Sequence, residues 1–111
     1  MSKLNILWTT SDKDTAKNMI AIYTCNALKN SWWDEIRIII WGGSTKLISE
    51  DESMHKLIAK MIAAGVTFEA CKACADKYKA SDKLDELGIK VKYMGIPLTE
   101  YIKGDDHFIT I

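Results

Sequence analysis

The most reactive side chains in this 111-residue sequence are its three cysteines, and two of them, Cys71 and Cys74, form a C-x-x-C pair. That spacing belongs to redox, group-transfer or metal chemistry. Val66-Thr67-Phe68-Glu69-Ala70 reads as a strand that runs straight into Cys71-Lys72-Ala73-Cys74, which opens a short helix. A thiol at a helix N-terminus faces unpaired N–H groups and the positive end of the macrodipole. Both favour the thiolate, so the free-thiol pKa of ~8.5 is expected to fall at Cys71. Lys72 and Lys77 add positive charge nearby, with Lys72 the expected anion-stabilising residue. Cys74 stands at i+3, on the same helix face, so the two sulfurs can meet. The alternative is that both are small buried hydrophobes packed on the sheet, as free cysteines often are. Cys25 falls inside an apolar helical stripe and is expected to be packing.

Other chemistries fail on residues. Zinc needs about four ligands, and the chain offers one C-x-x-C pair with two isolated histidines, His55 and His107, so no metal is expected. Neither G-x-G-x-x-G nor a Walker A loop occurs, and no cofactor is expected. A cysteine phosphatase loop would need an arginine where Lys77 stands, and a receiver domain an aspartate where Cys71 stands. Thr9-Thr10-Ser11 is hydroxyl-rich like a phosphate loop, but reads first as a polar turn before a helix. Thioredoxin-like dithiol enzymes also place C-x-x-C at a helix start. They need a proline facing it from a strand, whereas Pro97 looks like a helix-start proline.

Composition narrows the class further. Fifteen basic and fifteen acidic side chains cancel, which removes the electrostatic basis for nucleic-acid binding. Arg37 is the only arginine, so bidentate clamps on phosphate or carboxylate are nearly excluded. No apolar run approaches the ~18–20 residues that span a bilayer, and no membrane partner is expected. Met1-Ser2-Lys3-Leu4-Asn5 enters a strand directly, without a signal peptide's apolar stretch, so a cytoplasmic address is expected. In a reducing compartment a structural disulfide framework is not expected.

The elements that must position Cys71 follow from the hydrophobic period. Leu4-Asn5-Ile6-Leu7-Trp8 is a short apolar strand closed by Thr9-Thr10-Ser11-Asp12. Ala16, Met19, Ile20, Tyr23, Ala27 and Leu28 recur at helical steps, with Ser11 and Asp14, or Asp12, available to cap. Ile36-Arg37-Ile38-Ile39-Ile40-Trp41, ended by Gly42-Gly43, suits a central strand covered on both faces. Ser49-x-x-Glu52 has the capping-box pattern before the stripe Met54, Leu57, Ile58, Met61, Ile62, which stops at Gly65. Leu84, Leu87 and Gly88 mark a further short helix. Ile89 to Met94 alternates apolar and charged, as an edge strand would. A helix starting at Pro97 and a last strand His107-Phe108-Ile109-Thr110-Ile111 complete five strands. Helices between successive strands imply a mostly parallel sheet with helices on both faces, in one domain over residues 1–111. Reactive groups then collect beyond the strands' carboxyl ends, at Thr9 to Asp12, Gly42 to Lys46, Cys71 to Cys74 and Met94 to Pro97. Trp32-Trp33 and Trp41 lie near sheet ends, as lids over the core or anchors for another subunit.

The run Gly65-Val66-Thr67-Phe68-Glu69-Ala70-Cys71-Lys72-Ala73-Cys74-Ala75, then Leu84-x-x-Leu87-Gly88-Ile89, then Tyr93-Met94-Gly95-Ile96-Pro97-Leu98-Thr99-Glu100-Tyr101 resembles small DsrE-like proteins of the DsrE/DsrF and TusD sulfur-handling superfamily. The resemblance spans essentially the whole chain. It implies a three-layer α/β/α fold with a five-stranded parallel sheet, assembled as homo-oligomers, often trimers or hexamers. In the sulfur-relay members a cysteine just after the third strand carries a persulfide, and Cys71 occupies that position; Cys74 has no required counterpart there. The expected function is a sulfur carrier or sulfurtransferase-like protein acting through a Cys71 persulfide, with sulfur donor and acceptor proteins as partners. Two other readings stand beside it: a non-catalytic oligomeric binding or scaffold module, and a dithiol redox protein using Cys71 and Cys74.

Overall fold

Five short strands, β1 (Lys3–Trp8), β2 (Glu35–Ile40), β3 (Thr67–Cys71), β4 (Lys90–Lys92) and β5 (His107–Thr110), pair in the order β4-β3-β2-β1-β5. The computed structural model describes residues 2–111. Every pairing is parallel, with Leu4 opposite Ile36, Ile38 opposite Phe68, Ala70 opposite Val91 and Asn5 opposite Phe108. The isoleucine-rich β2 therefore takes the centre, where both faces are covered, and the alternating β4 takes an edge. The α/β architecture is the one the periodicity implies. The crossing of β5 to the far side of β1 is new, because period alone carries no strand order.

Strand residues alternate between two unequal cores. One face carries Leu4, Ile6, Trp8, Ile36, Ile38, Ile40, Phe68 and Ala70, all buried. Against it pack α1 (Lys13–Thr15, continuing through π-helical Ala16–Ala21 into Ile22–Lys29), α2 (Gly43–Glu50), α3 (Glu52–Ala63), α4 (Lys72–Lys77) and α5 (Ser81–Glu86). From α3 come Met54, Ile58 and Met61, each fully buried. The opposite face holds a much smaller cluster of Ile39, Cys71 and Met94, flanked by Leu7, Trp41, Cys74, Tyr101 and Phe108. Its helical cover comes from α6 (Gly95–Lys103), which buries none of its own residues.

Local chemistry explains the junctions. Asp12 caps α1 by accepting from the Thr15 amide, one of the caps its sequence offers. The capping box proposed at Ser49 does not form. Ser49 lies inside α2 and donates to the Lys46 carbonyl, while Asp51 caps α3 through the Ser53 amide. The apolar stripe begins as expected, but a nearer carboxylate takes the cap. At Gly43 a Cβ would stand 2.9 Å from the Thr9 carbonyl, so only glycine lets α2 start this close to the end of β1. Pro97 sits in the first turn of α6, where its missing N–H costs no helical bond.

Candidate functional site

Cys71 is the last residue of β3 and the N-cap of α4. The sequence therefore delivers it to the strand's carboxyl end, as its pattern required. The main-chain N–H groups of Cys74 and Ala73 act on its sulfur and favour the thiolate. Burial opposes them and wins: only 4% of Cys71 is exposed, in one apolar cluster with Ile39 and Met94, against which Tyr101 also packs. The adjacent Cys74 thiol raises the pKa further, and the net direction is upward from the ordinary thiol value of 9.0. The expected depression is thus overturned. A helix N-terminus lowers a thiol pKa only as far as dehydration allows, and here the sulfur belongs to a hydrophobic cluster.

Cys74 is half-buried and packs on the same cluster, so the C-x-x-C pair does come together, with the second thiol nearer solvent. Lys72 Nζ lies 2.8 Å from Asp76 Oδ2 and 5.8 Å from the centre of the Tyr93 ring. Asp76 raises the Lys72 pKa, and Lys72 in turn lowers that of Asp76, so this ammonium is engaged along α4. Lys77 is exposed at the end of the same helix. Cys25 is half-buried against the main core, as its stripe indicated.

A second set of groups under α6 was not singled out from the sequence. Glu69, two residues before Cys71 on the same sheet face, is 8% exposed. Its Oε1 accepts from the Tyr101 hydroxyl at 2.6 Å, and its Oε2 meets Lys92 Nζ at 2.7 Å. Arg37 Nε stands 3.7 Å from the same carboxylate, and its guanidinium lies 4.0 Å above the Tyr101 ring centre. Burial pushes the Glu69 pKa up, but Lys92 and Tyr101 pull harder, and Glu69 is held below the ordinary carboxylate value. Burial and the Glu69 carboxylate raise Tyr101 in turn. Arg37 also donates to Asn5 Oδ1 at 3.2 Å. Only the strand alternation hinted at this array: Asn5, Arg37 and Glu69 break the apolar pattern on one face of three adjacent strands.

The fold and the Cys71 junction can now be compared with known proteins. A family model described as "DsrE/DsrF-like family" matches residues 3–111. The chain belongs to the DsrE/DsrF-like family. This DsrE/DsrF-like chain is similar to a solved protein of unknown function from Bacteroides thetaiotaomicron, with 44% identity and a TM-score of 0.96 over 99% of this chain and 95% of that one. It shares its fold with the ychN protein from E. coli, at 15% identity and a TM-score of 0.71, each chain covered completely. A protein of unknown function from Methanobacterium thermoautotrophicum matches at 15% identity and a TM-score of 0.68, again over both whole chains. No curated protein matches the sequence.

The remaining candidates in this DsrE/DsrF-like chain serve its structure. Thr9 Oγ1 donates to the Ile111 carbonyl, and Thr10 Oγ1 accepts from the Asp12 amide, so the hydroxyl-rich turn is engaged in closing β1 and starting α1. His55 Nε2 lies 2.7 Å from the Ile48 carbonyl, tying α3 to α2. His107 packs edge-on to Trp33, whose Nε1 donates to the Tyr23 hydroxyl. Among the described residues no three His, Cys, Asp or Glu side chains gather where a metal ion could be held. No helix among them is long and apolar enough to cross a membrane.

Proposed function

We propose that the chain is a sulfur carrier of the sulfurtransferase type, one DsrE-like domain over residues 1–111, in which Cys71 holds a persulfide. The observation supporting this is Cys71 standing at the N-cap position of α4, at the carboxyl end of β3, with a second thiol, Cys74, packed on the same cluster. In the charging step the Cys71 thiolate attacks the outer sulfur of a donor persulfide. A sulfur–sulfur bond forms to Cys71, the donor's own bond breaks, and its thiolate leaves with the electron pair. An acceptor thiolate then attacks the outer sulfur of Cys71–S–SH and regenerates the Cys71 thiolate. The N–H groups of Ala73 and Cys74 favour the anion at both stages, and Lys72 joins them once released from Asp76. Cys74 can discharge the carrier: its thiolate attacks the inner sulfur, hydrosulfide leaves, and a Cys71–Cys74 disulfide remains. This chemistry belongs in a reducing compartment, consistent with a cytoplasmic setting.

Incubation with a small-molecule persulfide, followed by intact and peptide mass spectrometry, tests the proposal. Cys71 is expected to gain one sulfur, and Cys71→Ser to gain none. A gain that persists in Cys71→Ser overturns the assignment.

The burial of Cys71 favours a second reading, a non-catalytic oligomeric scaffold whose cysteines are packing. Thiol titration of the native protein separates the two. Modification of Cys71 only on global unfolding belongs to the scaffold, and modification under native conditions excludes a cysteine that is packing alone.

A further inference from the structure

Cys71 is buried, and the helix on its side of the sheet, α6, is the least embedded of the fold. None of the residues of α6 is buried, whereas α3 alone sinks three fully into the opposite core. Ile96 and Ile102 of α6 are 75% and 57% exposed, and what reaches the Cys71 cluster from this segment is Met94, at the helix entry, and Tyr101. The polar attachment is equally local. The Tyr101 hydroxyl donates to Glu69 at 2.6 Å, and Glu69 is itself braced by Lys92 and Arg37 from the two neighbouring strands. Glycines bracket the helix: Gly95 begins it and Gly104 ends it, and a Cβ on Gly95 would meet nothing within 4 Å. Glycine at each end permits the backbone change that a swinging segment needs.

We propose that α6 is a hinged cover over Cys71, latched shut by the Tyr101–Glu69 hydrogen bond. The cover rests on the reading of Cys71 as the working thiol, and supplies what that reading lacks, a route from the buried sulfur to a donor. In the closed state Met94 and Tyr101 exclude water and keep the thiol protonated. Release of Tyr101 lets α6 turn about its glycines and opens the cluster from the Tyr101 side, Met94 staying in place before the hinge, so that water reaches the sulfur and removes the main opposition to ionisation. Arg37 and Lys92 hold Glu69 in place whether the cover is open or shut, so the latch can close again.

Alkylation of the native full-length protein by iodoacetamide, mapped on tryptic peptides, measures the opening. Lys72 separates Cys71 and Cys74 into different tryptic peptides, so their rates are read independently. Tyr101→Phe keeps the ring over Arg37 and its packing on the Cys71 cluster but removes the latch. The Cys71 rate is expected to rise roughly tenfold, equivalent to about 1.4 kcal/mol lost from the closed state, with the Cys25 rate unchanged. An unchanged Cys71 rate overturns the cover, and so does a parallel rise at Cys25, which would signal general loosening. Hydrogen exchange gives a second measurement: amides of α6 should lose protection in Tyr101→Phe while those of β1 keep theirs. No sulfur donor takes part, so these outcomes are independent of persulfide transfer. A Cys71 that accepts no sulfur yet is exposed faster in Tyr101→Phe would end the carrier reading and leave the cover standing.

Discussion

At Cys71 the strand-to-helix junction works in two directions at once. It presents main-chain N–H groups to the sulfur, and it holds that sulfur in an apolar cluster with Ile39 and Met94, where an anion is poorly solvated. Burial dominates, so the Cys71 thiol titrates above its ordinary value and the thiolate fraction, with it alkylation, should keep climbing past pH 9. Cys74→Ala removes the neighbouring thiol that pushes Cys71 up but keeps the amide that pulls it down. The midpoint of the Cys71 alkylation profile should therefore move to lower pH, and an unmoved midpoint would show that the thiols do not interact. Mild oxidation of the native protein is expected to join Cys71 to Cys74, detected as loss of both free thiols on mapping; their survival would remove the discharge route. Glu69 offers a separate test of the array beneath α6. Glu69→Gln leaves Arg37 and Lys92 without their shared carboxylate, and should lower stability by about 2 kcal/mol at pH 7, the order for a partly buried hydrogen-bonded charge, read by urea denaturation. Because the folded-state pKa of Glu69 is below its ordinary 4.5, its contribution is complete above that value and fades as pH falls through the folded pKa. The gap between Glu69→Gln and the natural chain should narrow accordingly in acid.

Among the elements, α3 depends on a carboxylate at its start. Asp51 accepts from the Ser53 amide and hydroxyl and meets Lys13 of α1 at 3.0 Å. The Ser53 side chain, then Lys13, hold its pKa down to about 2. Asp51→Ala is expected to lower the thermal midpoint at pH 7, with the difference intact above the unfolded value of 3.8 and disappearing as pH falls through about 2. An equal deficit at every pH would mean that lost packing, not the cap, is responsible. Periodicity located α3, because Met54, Ile58 and Met61 must share a face, but the cap was misplaced to Ser49. Two capping patterns lay within a turn of each other, and the helix break at Asp51 chose between them. The π-helical Ala16–Ala21 inside α1 turns the buried face away from the expected apolar stripe: Met19, placed inward by its spacing, is 42% exposed, while Thr24 is fully buried, because one extra residue in a turn rotates everything after it.

For the whole molecule, the two faces of the sheet are unequal, and the larger core lies under α1 to α5. Ile38 lies fully buried at the middle of the central strand, and Ile38→Ala should cost about 2–5 kcal/mol in chemical denaturation. A much smaller cost would mean that the core relaxes around the gap. On the other side Tyr93, Ile96 and Ile102 stand exposed on and beside α6, and Trp32 is 57% exposed near the far end of β2. Self-association, in keeping with the oligomers that the family resemblance implies, should appear in sedimentation velocity and be weakened in Trp32→Asp. A monomer at micromolar concentration for the natural chain would reject it.

Much of this protein was readable along the chain because the signals are local. Apolar period distinguished strand from helix, β-branched runs marked the central strand, and the strand-to-helix step at Cys71 followed from its immediate neighbours. What folding alone decided are relations between distant residues. The placement of β5 beside β1, the choice of the sparsely covered face, the dehydration that lifts the Cys71 pKa, and the contact of Glu69 with Tyr101 across 32 residues all arise only when the sheet is assembled. Spacing can put a thiol at the end of a strand. Whether water reaches it depends on which helix crosses above, and that is a property of three-dimensional packing.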